Sequence, residues 1–343
     1  MMRLFWIADG CALIAFSAID QVEFAGDDLD SMNFRINLAQ AQHFLTLQGQ
    51  EKPLQFDATQ NLIQQLATQA KANGQMVMVV VADDDAYLEG QVTAVAEDRF
   101  SMAIFNKFNY TDVRALQVDF SDILVMEFHG LDLKLETELV RQRDHLKHVA
   151  TKLYQNDGQL AGVFQNALAN NRLISVVPKG PEDQFFVGRV KAVNDRVVVL
   201  SLKDMAGQFG GYILLTLPSI QNVATASDYL QTISFYEKWD QTHHFSQQPV
   251  LNADREFDPN DDLIQTIISE AAGFERVVRI KVADSDEHFL GYPENVGETD
   301  FDLNLVGPDD GETAQIRYGQ IREIAFGHIF AYLQEAQLKN AGR

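Results

Sequence analysis

The sequence has little of what secreted, membrane-spanning and common catalytic proteins require. Its single cysteine, Cys11, excludes an internal disulfide and gives no reason to expect an oxidising compartment. Apolar runs such as residues 76–82 have strand length, far below the roughly 20 residues of a membrane-spanning helix. No nucleophile elbow, phosphate-binding loop or Cys/His metal-ligand spacing occurs. We therefore expect a cytoplasmic, non-catalytic protein with no cofactor, no metal and no membrane partner.

Positive charge is also scarce. The chain has 27 Lys and Arg residues against 49 Asp and Glu residues, a formal net charge of −22. Binding to nucleic acid depends mainly on Lys and Arg side chains that displace counterions, so this balance disfavours it. With 46% hydrophobic and 22% charged residues, the composition is typical of a globular protein.

One twelve-residue pattern, here called the signature, occurs four times in the chain. Columns two, four and ten are apolar in every copy, and column five is Ser, Pro or Gly. Column seven is always isoleucine, at separations of 104, 97 and 101 residues, which indicates a repeated supersecondary unit. The copies are residues 13–24, 117–128, 214–225 and 315–326. We predict that the four isoleucines lie in the cores of the units; they are Ile19, Ile123, Ile220 and Ile321.

Before each of the last three signatures, the sequence predicts one helix and three further strands. In the first of these units, apolar residues recur at helical spacing over residues 62–70, and Asn73-Gly74 provides a stop. The second predicted strand contains Gly90, and a glycine within a strand often marks a bend. The predicted fold is α+β and mainly β, with tandem small barrels of a helix plus five strands, joined by helical connectors.

The predicted domain boundaries follow from these units. A partial barrel plus connector occupies residues 1–57, and full barrels occupy 58–130, 157–226 and 262–343, the last with a C-terminal helix. Helical connectors are predicted at 131–156 and 227–261.

The first copy of the unit is incomplete. Residues 1–26 supply only its last two or three strands, which would leave apolar faces and unpaired backbone groups. Either a neighbouring barrel of the same chain or another chain must cover them, and the sequence leaves both open. Residues 31–48 fit a helix or an alternating strand, and we favour the helix.

A helix and five strands that end in an apolar-x-aromatic-Gly-x-Ile pair of strands resemble the Sm-like (LSm) barrels and, more loosely, SH3-like barrels. The resemblance covers the outline of each repeat and is clearest in residues 58–128. In Sm-like proteins, an Asp and Asn loop and an Arg-Gly pair line a uridine pocket. Asp98 and Met102 partly match the first element, and residues 317–319 loosely match the second in a different copy. The resemblance therefore implies the fold and does not bring the RNA pocket with it.

Two segments are candidate binding surfaces. Basic residues in the connector at 131–156 are the one local charge reversal and could contact nucleic acid or an acidic partner, although a solvated helix face that neutralises a neighbouring acidic barrel is the favoured explanation. Aromatic residues in the next connector favour interface packing over a ligand platform. The basic residues are Arg141, Arg143, Lys147 and Lys152, and the aromatic residues are Tyr229, Phe235, Tyr236 and Trp239.

Residues 258–262 place oxygen atoms at alternate positions, as a calcium-binding loop does. Such a loop also needs Gly at its sixth position and an acid at its twelfth, where this chain has Leu263 and Ser269. We predict instead that Asp261 or Asp262 caps the following helix.

The leading hypothesis is a non-catalytic scaffold or binding protein that acts through protein–protein contacts, with a protein partner or as a homo-oligomer. The alternative is a single-stranded RNA-binding protein that uses the basic connector. A third hypothesis, an enzyme with carboxylates in a cleft between barrels, rests only on the abundance of Asp and Glu.

Overall fold

The computed structural model describes residues 10–42, 54–82, 87–180, 184–243, 252–283, 285, 287–307 and 311–340. Within these residues the protein is α+β and mostly β, with two antiparallel sheets and seven α-helices. The chain divides into two compact units, Met1–Val149 with Gln231–Gln248, and Ala150–Leu230 with Pro249–Arg343. No helix in the described ranges is long and apolar enough to cross a membrane.

The first unit carries a six-stranded antiparallel sheet. Its strands are β1 (Cys11–Ile14), β2 (Met76–Val81), β3 (Tyr87–Val95), β4 (Arg99–Phe105), β5 (Val113–Asp119) and β6 (Ile123–Phe128). They lie in the order β1-β6-β2-β3-β4-β5.

The second unit carries an eleven-stranded antiparallel sheet. Its strands are β7 (Leu153–Gln155), β8 (Leu173–Pro178), β9 (Phe186–Val193), β10 (Val197–Lys203), β11 (Phe209–Thr216), β12 (Ile220–Ala224), β13 (Val278–Val282), β14 (His288–Glu294), β15 (Asp300–Leu305), β16 (Thr313–Arg317) and β17 (Ile321–Phe326). They lie in the order β16-β15-β14-β13-β17-β11-β10-β9-β8-β12-β7.

Three five-strand sets within these sheets share one strand order. In each set the fifth strand lies beside the first, as in β6-β2-β3-β4-β5, β12-β8-β9-β10-β11 and β17-β13-β14-β15-β16. In each of these three sets the signature supplies the end of the fourth strand, a 3-10 turn and the fifth strand. A glycine of the second strand lies so close to the third strand that an added Cβ would come within 2.5 Å of a carbonyl oxygen there. These glycines are Gly90, Gly188 and Gly291.

The α-helices are α1 (Asp27–Ala41), α2 (Leu62–Asn73), α3 (Leu131–Arg141), α4 (Leu160–Ala169), α5 (Asp228–His243), α6 (Leu263–Gly273) and α7 (Ile329–Asn340). Caps define the ends of α2: Asn61 accepts the backbone N–H of Gln64 at 3.0 Å, and Gly74 ends the helix with φ of 61°. The cap of α6 confirms the prediction, because Asp262 accepts the N–H of Gln265 at 3.2 Å. The apolar faces of α2, α4 and α6 pack on three separate hydrophobic cores.

The expected barrel form is not confirmed, because neither sheet closes among the described residues. Closing the first five-strand set would require β5 to pair with β6, but β1 occupies that edge of β6. In the second unit β11 and β17 pair with each other, and β7 covers the edge of β12. Strands from other parts of the chain thus take the edges that closure would need.

The core prediction is correct for three of the four isoleucines. Ile123, Ile220 and Ile321 are 4%, 0% and 4% exposed, and each lies in a different core. For Ile19 the prediction is wrong, since its side chain is 40% exposed. The physical reason is that no described helix or first strand of this copy covers the position.

The connectors are only partly helical. α3 ends at Arg141, and the chain then makes a 3-10 turn at Arg143–His145 and enters β7, where a largely helical connector was predicted. Pairing of β7 with β12 satisfies backbone groups that a helix would otherwise have used. The next connector is helical over α5, and its residues 244–251 lie outside the described ranges. α1 confirms the helix in 31–48 as far as Ala41, whereas 43–48 lie outside the described ranges.

Candidate functional site

The incomplete first copy is joined to the first unit by strand pairing. β1 pairs antiparallel with β6, with Leu13 opposite Met126, and Leu13 packs against the core of that unit. Column one of one signature therefore lies opposite column ten of the next. The structure thus shows what completes part of the first copy: a strand of the same chain.

The same register joins two signatures in the second unit. β11 pairs with β17, with Leu214 opposite Ile324, again column one opposite column ten. Leu214 belongs to the hydrophobic core formed by the five-strand set of β17. Two independent junctions in this chain thus follow one rule.

The segment after β1 is exposed although its columns are apolar. Phe16 and Phe24 are 93% and 90% exposed, and Val22 is also exposed. Among the described residues, no backbone–backbone hydrogen bond involves residues 20–25. These columns form the buried strands β6, β12 and β17 in the other copies. Residues 19–24, here called the unpaired segment, therefore carry a strand pattern without a strand partner among the described residues.

Two fourth strands end their sheets. β5 pairs only with β4, and β16 pairs only with β15, within the described ranges. Column one is a glutamine in both strands, Gln117 in β5 and Gln315 in β16, and both side chains are exposed. Strands with an open edge present backbone groups that can pair with another chain.

The structure exposes all four predicted basic residues. Arg141 pairs with Glu138 at 2.6 Å, whereas Arg143 and Lys147 form no ion pair with another described residue. Lys152 belongs to the second unit, where its ammonium lies 5.4 Å from the centre of the Tyr154 ring. Of the four, only Arg141 lies on an α-helix, so they do not share one basic helix face.

The four predicted interface aromatics do not form one platform. Tyr229 is buried in the second unit with its ring edge-on to Phe185, and Tyr236 is buried in the first unit. Trp239 stacks on His243 with ring centres 4.3 Å apart. Phe235 is half-buried and lies 6.1 Å from the Tyr236 ring. Packing within each unit accounts for Tyr229 and Tyr236.

A buried ionic cluster in the first unit escaped the sequence analysis. The ammonium of Lys107, just after β4, lies 3.0 Å from Glu89 Oε2 and 2.6 Å from Glu136 Oε1. All three side chains are buried. The main-chain carbonyl of Lys107 also accepts a 3.3 Å hydrogen bond from Thr232 of α5. The cluster thus links β3, the turn after β4, α3 and α5.

Burial and charge act against each other in this cluster. Burial raises the pKa of Glu136 to about 8, and the nearby Lys107 ammonium opposes that rise. Burial alone would lower the pKa of Lys107, but the carboxylates of Glu136 and Glu89 outweigh it and raise that pKa. With Glu136 protonated, the ammonium and the remaining carboxylate leave the cluster neutral.

Position relative to the glycine of the second strand is the signal that could have revealed this cluster. Glu89 precedes Gly90, where the other two copies have Val187 and Leu290. A charged residue at an otherwise apolar position of a strand indicates a buried partner. The identity of that partner cannot be read from the sequence, because Lys107 lies 18 residues from Glu89 and 29 from Glu136.

No group of three or more metal-ligating side chains occurs among the described residues. No protein-family model matches the chain, and no curated protein matches it either.

Proposed function

We propose that this is a non-catalytic cytoplasmic scaffold protein, built from tandem Sm-like units, that acts through protein–protein contacts made by strand edges. Self-association is the main contact. The observation that carries the proposal is the unpaired segment, whose apolar side chains Val22 and Phe24 are exposed where the corresponding residues of the other copies are covered.

The common strand order supports tandem Sm-like units. Each five-strand set follows a helix, places its fifth strand beside its first, and buries one signature isoleucine in its own core. A close approach at Gly90, Gly188 and Gly291 recurs at the same place in the second strand. Shared order, shared core position and shared backbone approach are independent features of one unit.

Exposed apolar surface supports a binding role. Soluble monomers rarely leave neighbouring large apolar side chains uncovered, and such patches mark interaction sites. In this chain they coincide with residues 20–24, which form no backbone–backbone hydrogen bond with another described residue. A protein strand satisfies both needs at once, because it supplies backbone hydrogen bonds and covers side chains.

Light scattering coupled to size exclusion tests this proposal. We expect the wild-type protein to have a mass above that of one chain. Replacing Val22 and Phe24 together with serine should lower that mass. Phe274→Ser, which changes a side chain that is 73% exposed outside the segment, should not. A wild-type protein that is a strict monomer and co-purifies with nothing contradicts the proposal.

RNA binding is the second candidate function, favoured by the exposed Arg143 and Lys147, which have no acidic partner among the described residues. A filter-binding assay with single-stranded RNA across salt concentrations decides it. Affinity should fall steeply with salt if phosphate contacts dominate. Absence of binding at low salt eliminates this candidate.

A further inference from the structure

We propose that the unpaired segment of one chain pairs antiparallel with β16 of a second copy, with Asp20 opposite Arg317. This inference rests on the proposed function and names its partner. Each chain carries both surfaces, so the contact is head-to-tail.

The register follows from the two junctions within the chain. Column one lies opposite column ten at β1–β6 and again at β11–β17. Column three then lies opposite column eight, and the first junction shows this contact, because Ala15 N–H donates to the Leu124 carbonyl at 2.9 Å. Applied to the unpaired segment, the same rule puts Val22 opposite column one of a fourth strand and Asp20 opposite column three.

Charge at column three selects between the two open fourth strands. β16 has Arg317 there, whereas β5 has Asp119. Opposite charges directly across an antiparallel pair stabilise it, and like charges destabilise it. Asp20 therefore favours β16 and disfavours β5. Both Asp20 and Arg317 are exposed, and neither forms an ion pair with another described residue.

Polarity at column one agrees with this assignment. Leu13 and Leu214 are apolar because each enters the hydrophobic core of the set it joins. In the described part of the first copy, residues 10–26, no α-helix and no strand other than β1 surrounds this position, so those residues offer no core there. A polar residue, Gln315, is then the expected one in the strand that joins it.

Head-to-tail contacts have a structural consequence. Because the two surfaces differ, the contact is heterologous and produces a closed ring or an open filament. In a ring, every unpaired segment and every β16 edge is then occupied. In a filament, one of each stays open at the two ends.

Charge reversal in full-length protein tests the pairing. Asp20→Arg places two cations in register, and Arg317→Asp places two carboxylates in register. We expect each variant to dissociate at about tenfold higher concentration than wild type, as measured by analytical ultracentrifugation. An equal mixture of the two variants should recover wild-type assembly, because every contact then joins opposite charges. The double variant D20R/R317D should recover it alone.

Asp119→Arg is the matched control, since it changes column three of β5. We expect it to leave the dissociation concentration unchanged. An increase in association for Asp119→Arg would assign the partner strand to β5 and overturn the inference.

The outcomes separate this inference from the proposed function. A wild-type monomer overturns both. A wild-type assembly that neither single reversal weakens, or that the mixture does not restore, overturns the pairing and leaves the scaffold role standing.

Discussion

β1 and β11 begin the same signature, and both pair with the fifth strand of the following set, yet the chain after them behaves differently. After β11, a 3-10 turn leads into β12, and Ile220 is fully buried. After β1, a similar turn leads to Ile19, which is 40% exposed, and to residues without strand structure. The two copies differ in the strand and helix that lie beside the fifth strand. β12 has β8 and α4 of its own set, whereas residues 19–24 have no such strand or helix beside them among the described residues.

The signature therefore determines the pairing of the fourth strand and the turn after it, but it does not determine whether the fifth strand is buried. Pairing of the fourth strand needs only the edge of the next set. Burial of the fifth strand needs a first strand and a helix from its own copy. The first unit also contains an ionic cluster at a site where the second unit has Val187 and Leu290.

Lys107→Met should have the largest effect. It leaves Glu89 and Glu136 buried without their cation, which we expect to lower the free energy of unfolding of the first unit by about 3–5 kcal/mol. Unfolding by denaturant, monitored by hydrogen exchange of the amides in each unit, measures the change. The triple variant E89V/K107M/E136L, which imitates the apolar site of the second unit, should recover most of the loss. An equal loss in the triple variant would show that charge is not the cause.

Isoleucine-to-alanine substitutions test the comparison directly. Ile220→Ala should cost about 2–5 kcal/mol, because it empties a fully buried position. Ile19→Ala should change the free energy of unfolding by less than about 1 kcal/mol in the dissociated protein. Denaturant titration at low protein concentration compares the two variants. Equal losses would mean that Ile19 is buried as Ile220 is.

Gly188→Ala should destabilise the second unit by about 1–3 kcal/mol, since the added Cβ would lie 2.5 Å from the Ser201 carbonyl oxygen. Gly162→Ala is the control within the same unit. Gly162 lies in α4 with no atom within 4 Å of an added Cβ, so alanine should stabilise by about 0.5–1 kcal/mol. Thermal unfolding of both variants gives the comparison, and a stabilising Gly188→Ala would contradict the close approach.

Protonation of Glu136 gives an effect that is small per step of pH and accumulates over the titration range. Its pKa in the folded protein is raised to about 8, above its ordinary value, so the folded state keeps a proton that the unfolded state has lost. Stability should therefore fall as pH rises between about 5 and about 8, by up to about 1.4 kcal/mol per pH unit. Glu136→Gln should flatten this dependence in denaturant titrations. An unchanged slope would place an ionised Glu136 in the folded protein.

Local patterns predicted much of the fold. The run Met76–Val81, the glycine within each second strand and the stop at Gly74 are short-range signals, and the structure agrees with them. The helix prediction for the connector around β7 was wrong. Leu153 and Tyr154 fit a helical stripe, but pairing with β12 outweighed that preference. Strand partners and the cluster around Lys107 depend on residues far apart in the chain, which periodicity does not reveal.

A site-directed disulfide tests the central claim most directly. In a Cys11→Ser background, which removes the only native thiol, we would mix Val22→Cys protein with Gln315→Cys protein and oxidise the mixture. The account predicts a covalent dimer of the two variants, because column ten lies opposite column one. Val22→Cys mixed with Gln117→Cys, the same column of β5, should give little product. Equal yields from the two mixtures, or none from either, would contradict the pairing of the unpaired segment with β16.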